Sequence, residues 1–278
     1  MAEKKIGFIG LGNMGKPMAV NIAKAGFDLT VYDVRPEPME ELRRLGARVA
    51  RSPAELGERC DITEIVVVND AQVEEVTLGE GGVLPGAKPG SIIVIHSTVH
   101  PRTCQKVAEQ AKAKGVGVLD AAVSGGEEGS KAGTLTIMVG GEARLLEECR
   151  PVFEVVGKNI FHLGDVGMGE TGKLANNLMC LVNFVSTYEG IRLGVAAGIK
   201  PETLLELVKV STGNSWVAQH WQGFQKMRES YTTGLEGLAQ VMFKDLSLAL
   251  AVGHDLKTPL PAAALASQMV ERVLGIKE

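Results

Sequence analysis

Near the amino terminus, Gly10-Leu11-Gly12-Asn13-Met14-Gly15 follows the apolar run Ile6-Gly7-Phe8-Ile9 and opens a helical pattern from Met14 to Ala25. A G-x-G-x-x-G pattern is a weak signal alone and a strong one between a buried strand and a helix start. The first glycine permits a tight turn, the second lets backbone approach a pyrophosphate, and the third lets helix and strand pack closely. The helix start then offers N–H groups and the positive end of its dipole to the anion. Gly10, Leu11, Gly12, Asn13, Met14 and Gly15 are thus expected to hold a dinucleotide. Asp33 ends the next apolar run, Leu29-Thr30-Val31-Tyr32. A carboxylate there accepts hydrogen bonds from a ribose 2′-hydroxyl and repels a 2′-phosphate, which argues for NAD over NADP. Arg35 keeps NADP open, because a guanidinium at that place can pair with a phosphate.

The first half alternates such apolar runs with amphipathic stretches. Strands are expected at Ile6–Ile9, Leu29–Tyr32, Arg48–Ala50, Ile65–Val68, Ile92–Ile95, Val116–Leu119, Leu135–Val139 and Ile160–Leu163. Helical patterns separate them at Pro38–Leu45, Val73–Leu78, Pro101–Lys112 and Ala143–Val156. Strand and helix in alternation predict a parallel sheet covered on both faces. After Gly164 the pattern changes. One helix of about 28 residues, roughly 40 Å long, is expected from Gly169 to Ala197. Others follow at Pro201–Val210, Gly237–Val252 and Pro261–Leu274. The predicted fold class is α/β: a Rossmann-type, doubly wound, mostly parallel sheet over residues 1–166, and an all-helical domain over 167–278 opened by the long helix.

Composition narrows the function. With 45% hydrophobic and 22% charged residues, the 278-residue chain has material for a real core. A net charge of −4 leaves no basic excess for nucleic-acid phosphates. No apolar run is long enough to suggest a membrane span, and no signal peptide is expected before the strand that Met1–Lys5 leads into. Cys60, Cys104, Cys149 and Cys180 form no C-x-x-C pair, so neither a metal site nor a disulfide framework is expected. Reduced, mostly buried thiols in a cytoplasmic protein are the expectation.

The stretch Phe8 to Met18 resembles the opening signature of the β-hydroxyacid dehydrogenase family, which includes 3-hydroxyisobutyrate dehydrogenases and tartronate semialdehyde reductases. Further motifs of that family follow in order: Ser97-Thr98-Val99, Asp120 to Gly126 with Gly133-Thr134-Leu135, Gly167 to Asn177, and Lys244-Asp245-Leu246. The resemblance covers residues 5 to 265 or so. It implies an oxidoreductase that moves a hydride between NAD(H) and a small β-hydroxyacid or its semialdehyde.

The resemblance also implies roles. Lys173 matches the family's catalytic lysine, and Asn177 lies four residues on, on the same helix face. An amine held in a partly dry cleft beside a cationic nicotinamide is expected to titrate low, and it can then take or return the hydroxyl proton. Ser124, Gly125 and Gly126 match a loop that binds the substrate carboxylate through a hydroxyl and exposed N–H groups. Thr98 matches a contact to the nicotinamide half of the cofactor, with capping of the helix opened by Pro101 as its alternative. Lys244 matches a cofactor-contacting lysine. Trp216, in Ser211 to Trp216, either closes a wall of the pocket or packs between helices. The chain departs from the family pattern at Asn69-Asp70, where Leu-Pro is common, at Ala122 in place of Pro, and at His96. His96 is either a cofactor or substrate contact or a polar strand end. The partners implied are a small carboxylate-bearing substrate and further copies of the chain, as a homodimer or homotetramer. An imine reductase of the same superfamily and a non-catalytic cofactor-binding module are the alternatives; the retained Lys173 speaks against the first, and Lys173 with Asn177 against the second.

Overall fold

A computed structural model describes residues 4–224 and 233–277; the first residues of the Met1–Lys5 lead-in lie outside them. The chain divides into two compact units, Met1–Lys173 and Leu174–Glu278.

Among the described residues, the first unit holds strands β1 Ile6–Ile9, β2 Leu29–Tyr32, β3 Arg48–Val49, β4 Ile62–Ile65, β5 Ile92–Ile95, β6 Gly117–Ser124, β7 Leu135–Gly140 and β8 Gly157–Gly164. They form one sheet in the order β3-β2-β1-β4-β5-β6-β7-β8. Neighbours run parallel except β6 and β7, which are antiparallel. The helices are α1 Gly15–Lys24, α2 Pro36–Arg44, α3 Pro53–Arg59, α4 Asp70–Leu78, α5 Val83–Gly86, α6 Pro101–Lys112, α7 Gly126–Ala132 and α8 Ala143–Val156. Every residue of β1 and β5 is buried, as expected of strands covered on both sides. One face packs Met18, Ile22, Leu145 and Phe153 from α1 and α8; the other packs Leu56, Val73, Cys104 and Val107 from α3, α4 and α6. The chain order reverses between β1 and β4, and the strand carboxyl ends there leave the crevice in which such sheets bind ligands.

The expected strand at Ile65–Val68 lies elsewhere: β4 is Ile62–Ile65, and Val68 is exposed. Glu64 conceals it, since a carboxylate interrupts the apolar run. In the fold Glu64 is buried and its Oε2 meets Nε2 of His96, while His96 Nδ1 donates to the Ala121 carbonyl at 2.6 Å. A carbonyl only accepts, so Nδ1 is the donor of that bond. The pair cross-links β4, the end of β5, and β6. Removing one member of a buried pair costs about 3–5 kcal/mol, because the other is left alone in a dry environment. β6 and β8 extend beyond the expected Val116–Leu119 and Ile160–Leu163. The short helices α3, α5 and α7 have too few turns to show a helical period in the sequence.

Cys60, Cys104 and Cys149 are buried and Cys180 is half-buried. Burial pushes the Cys60 thiol up to about 11, and pushes Cys104 and Cys149 up as well, which leaves them unreactive.

The long helix α9, Met168–Ala196, begins in the first unit and carries on into the second. The second unit adds α10 Pro201–Lys209, α11 Trp216–Gln219, α12 Gly234–Asp255 and α13 Pro261–Leu274. Its core contains Phe184, Leu205, Val217, Trp221, Leu246, Val270 and Leu274. No helix of the described residues is long and apolar enough to cross a membrane.

Candidate active site

The β1–α1 turn has three glycines for three different reasons. At Gly10, φ is +90° and a Cβ would sit 2.0 Å from the Val66 carbonyl oxygen. At Gly15 a Cβ would sit 2.0 Å from the Gly10 carbonyl oxygen and 3.1 Å from the Phe8 ring. At Gly12 a Cβ would meet nothing within 4 Å among the described residues beyond its chain neighbours, so here the missing side chain leaves room for something other than protein. The start of α1 has no acidic residue in its first turn and no side-chain cap from Met14; the Lys16 amide donates to the Gly12 carbonyl at 3.0 Å and Pro17 has none, so what the helix offers an anion is the positive end of its dipole with no carboxylate beside it. A dinucleotide pyrophosphate fits this cradle.

Asp33 follows β2 and is buried. Its Oδ2 accepts from the Leu11 amide at 2.6 Å, and its Oδ1 accepts from the Arg35 amide at 2.8 Å and from Arg35 Nε at 3.1 Å. Burial pushes this carboxyl up, but the hydrogen bonds from Arg35 and Leu11 outweigh it and hold the group below its ordinary value. Its contribution to stability is therefore complete above the usual carboxylate range and is lost as pH falls through the lowered value. Arg35 also donates from Nη2 to the Leu11 carbonyl at 3.1 Å. The guanidinium is thus committed to the carboxylate and the glycine loop, which weakens the case for a waiting phosphate site. Asp33→Ser should remove the repulsion and release Arg35. The ratio of kcat/KM for NAD to that for NADP is expected to fall on the order of tenfold, the worth of one hydrogen-bonded contact. An unchanged ratio would remove Asp33 from cofactor choice.

The next loop follows β5. Ser97 Oγ accepts from the Val67 amide at 2.7 Å, and the Val99 amide donates to Glu170 Oε2 at 3.1 Å. Thr98 lies between them. It is not the cap of α6; that position belongs to His100, whose Nδ1 accepts from the Arg102 amide at 3.2 Å. His96 turns inward to Glu64 and Ala121, so both ring nitrogens are used and it has none to offer a ligand. The departure at Asn69-Asp70 also has a structural reading. Asn69 caps α4 by accepting from the Gln72 amide at 3.0 Å, and Asp70 accepts from the His100 amide at 2.8 Å and from Thr103 Oγ1 at 2.6 Å.

Ser124 ends β6, and Gly125 turns the chain with φ +136°. Gly126 then starts α7, an element with no period in the sequence to announce it. Ser130 of α7 donates to the Met14 carbonyl at 2.7 Å, and Asn21 of α1 donates to the Ser130 carbonyl at 2.9 Å. These bonds tie the Ser124–Gly126 loop to the glycine loop, two motifs more than a hundred residues apart in the chain.

Lys173 lies early in α9 and is only 9% exposed, unlike an ordinary surface lysine. Asn177 follows one turn later. Its Nδ2 donates to Asp245 Oδ2 at 2.6 Å, and Asn176 Nδ2 donates to its Oδ1 at 3.1 Å. Asp245 also pairs with Lys244 Nζ at 3.0 Å. The second unit thus joins Asn177 and Lys244 through Asp245, a buried carboxylate whose role the Lys244-Asp245-Leu246 motif does not reveal by itself. Trp216 is 61% exposed and stacks on His220 with ring centroids 4.2 Å apart. The tryptophan packed between helices is Trp221, against Phe184.

Two family models match the chain in succession. Residues 5–164 match the NAD binding domain of 6-phosphogluconate dehydrogenase, and residues 167–276 match the NAD-binding region of NADP-dependent 3-hydroxyisobutyrate dehydrogenase. A 2-(hydroxymethyl)glutarate dehydrogenase of Eubacterium barkeri is 40% identical over 98% of this chain and 90% of its own length. An NAD-dependent L-serine dehydrogenase of Pseudomonas aeruginosa is 38% identical over 98% of this chain and 92% of its own. The solved structure of a 3-hydroxyisobutyrate dehydrogenase from Mycobacterium tuberculosis, with L-serine, superposes with a TM-score of 0.87 at 28% identity, covering 98% of this chain and 94% of that one.

Proposed function

Because this chain belongs to the β-hydroxyacid dehydrogenase family and is an NAD-dependent oxidoreductase of small hydroxyacids, we propose that Lys173 is its proton-transferring group. The observation that carries this reading is the burial of Lys173 one turn before Asn177 on α9. NAD, when bound, supplies the hydride acceptor. In the oxidation, Lys173 Nζ takes the hydroxyl proton of the substrate as the carbonyl forms; in the reduction it returns that proton. Asn177, held through Asp245, orients the lysine or the substrate oxygen. Ser124 Oγ and the amides of Gly125 and Gly126 bind the substrate carboxylate. Gly10 to Gly15 hold the pyrophosphate, Asp33 the adenosine ribose, Thr98 the nicotinamide half, and Lys244 a further part of the cofactor. Residues 1–166 serve as the dinucleotide-binding domain, and 167–278 as the helical domain for substrate and assembly.

The protein works as a homodimer or homotetramer in this reading. Support comes from large apolar side chains left exposed on the helical unit, among them Leu193, Leu207, Val210 and Phe243. The buried thiols of Cys60, Cys104 and Cys149 suit the reducing cytoplasm. The test is a panel of short β-hydroxyacids and their semialdehydes, followed by NADH absorbance. At least one three- to five-carbon acid is expected to turn over. If none reacts and small cyclic imines are reduced instead, imine reduction replaces this reading.

A further inference from the structure

Asp120 belongs to the same motif as Ser124–Gly126, yet it lies four residues earlier in β6 and is fully buried. Its partners are at the beginning of α9. Oδ1 accepts from the Gly167 amide at 2.7 Å, Oδ2 accepts from the Glu170 amide at 2.8 Å, and the Gly169 amide also bonds to it. A helix start leaves four N–H groups without intrahelical partners, and here one carboxylate serves several of them. Missing side chains make the approach possible. A Cβ at Gly140 would lie 2.5 Å from Asp120 Oδ1, and one at Gly169 would lie 2.4 Å from the Met138 carbonyl oxygen. Burial pushes the Asp120 carboxyl up, and the amides of Gly167 and Glu170 pull against it.

Glu170 extends the connection. Its backbone amide is bound to Asp120, and its buried side chain accepts from the Val99 amide at 3.1 Å. One carboxylate of β6 therefore references two things to the same strand: the first turn of α9, from which Lys173 projects three residues later, and the Ser97–Val99 loop. We propose that Asp120 is a positioning residue, which fixes Lys173 by clamping the start of α9 to β6, with Glu170 carrying the same register to Val99. This rests on Lys173 being the proton-transferring group. A shift of about 1 Å in such a group is enough to lower a rate about 100-fold, so the clamp matters for turnover more than for binding.

Asp120→Asn keeps the shape but turns one acceptor into a donor facing an N–H. Its kcat is expected to fall about 30-fold or more, with substrate KM and the NADH dissociation constant within about threefold of wild type. In the cofactor-free protein, hydrogen exchange of the amides of residues 167–173 should quicken by about tenfold or more. Should that variant fail to fold, Asp120→Glu keeps the carboxylate but moves it by one methylene against the amides of Gly167 and Glu170; the same split of kcat from KM is expected at about tenfold, and a near-normal kcat there overturns the positioning role. A folded Asp120→Asn with near-normal kcat beside a dead Lys173→Ala overturns the positioning role alone. So does a loss spread evenly over kcat, KM and NADH binding, which is what a merely structural residue gives. An active Lys173→Ala instead overturns the reading of Lys173, and this inference with it.

Discussion

Lys173→Ala should lower turnover by about 10³-fold, within the range that removal of a positioned proton-transfer group produces. NADH should still bind with a dissociation constant within about threefold of wild type, since the glycine loop and Asp33 are untouched. Lys173→Arg is the sharper companion. A guanidinium keeps the positive charge and can donate hydrogen bonds, but it does not give up its proton in the working pH range. If Lys173 exchanges a proton with the substrate, Arg should be nearly as inactive as Ala. If Lys173 acts only as a fixed charge, Arg should restore much of the rate. The measurement is single-substrate kinetics on the best acid of the panel, with NADH binding followed by fluorescence. Near-normal turnover of the Ala variant would end the proposed chemistry.

Gly12→Val is expected to separate folding from cofactor binding. Among the described residues, nothing beyond Gly12's own chain neighbours lies within 4 Å of a Cβ there, so the empty protein should melt close to the wild-type temperature. A branched side chain there would fill the space the pyrophosphate needs, and NADH affinity should fall on the order of 100-fold. Gly15→Ala should behave in the opposite way. Its Cβ would lie 2.0 Å from the Gly10 carbonyl oxygen, so α1 must shift against β1, at a cost of about 1–3 kcal/mol in stability before any ligand is added. Thermal melts and NADH titrations of the two variants test this directly. A Gly12→Val protein that binds NADH normally would place the pyrophosphate elsewhere.

Much of this was legible in local sequence because the signals are local. The glycine turn, Asp33 two dozen residues later, and the proline-free run that becomes α9 each state their geometry within a short window. The apolar runs of β1 and β5 announce strands buried on both faces for the same reason. β4 was misplaced because Glu64 is tolerated in the core only through His96, thirty-two residues away. His96 reads in sequence either as a cofactor or substrate contact or as a polar strand end, and only its partner Glu64 on the neighbouring strand decides between them. Helix α7 stayed hidden because seven residues are too few to carry a period, and it is held by Ser130 reaching back to Met14.

Residue types and their spacing determined the fold class, the glycine turn after β1 and the candidate lysine, since turn geometry, strand burial and helix periodicity act over a few residues. Tertiary structure alone decided what surrounds those groups: the Asp120 carboxylate beneath the start of α9, Asp245 between Asn177 and Lys244, and Arg35 folded onto Asp33 rather than held for a phosphate. The reason is that a buried carboxylate is stable only with donors around it, and those donors come from distant parts of the chain that meet when the protein folds.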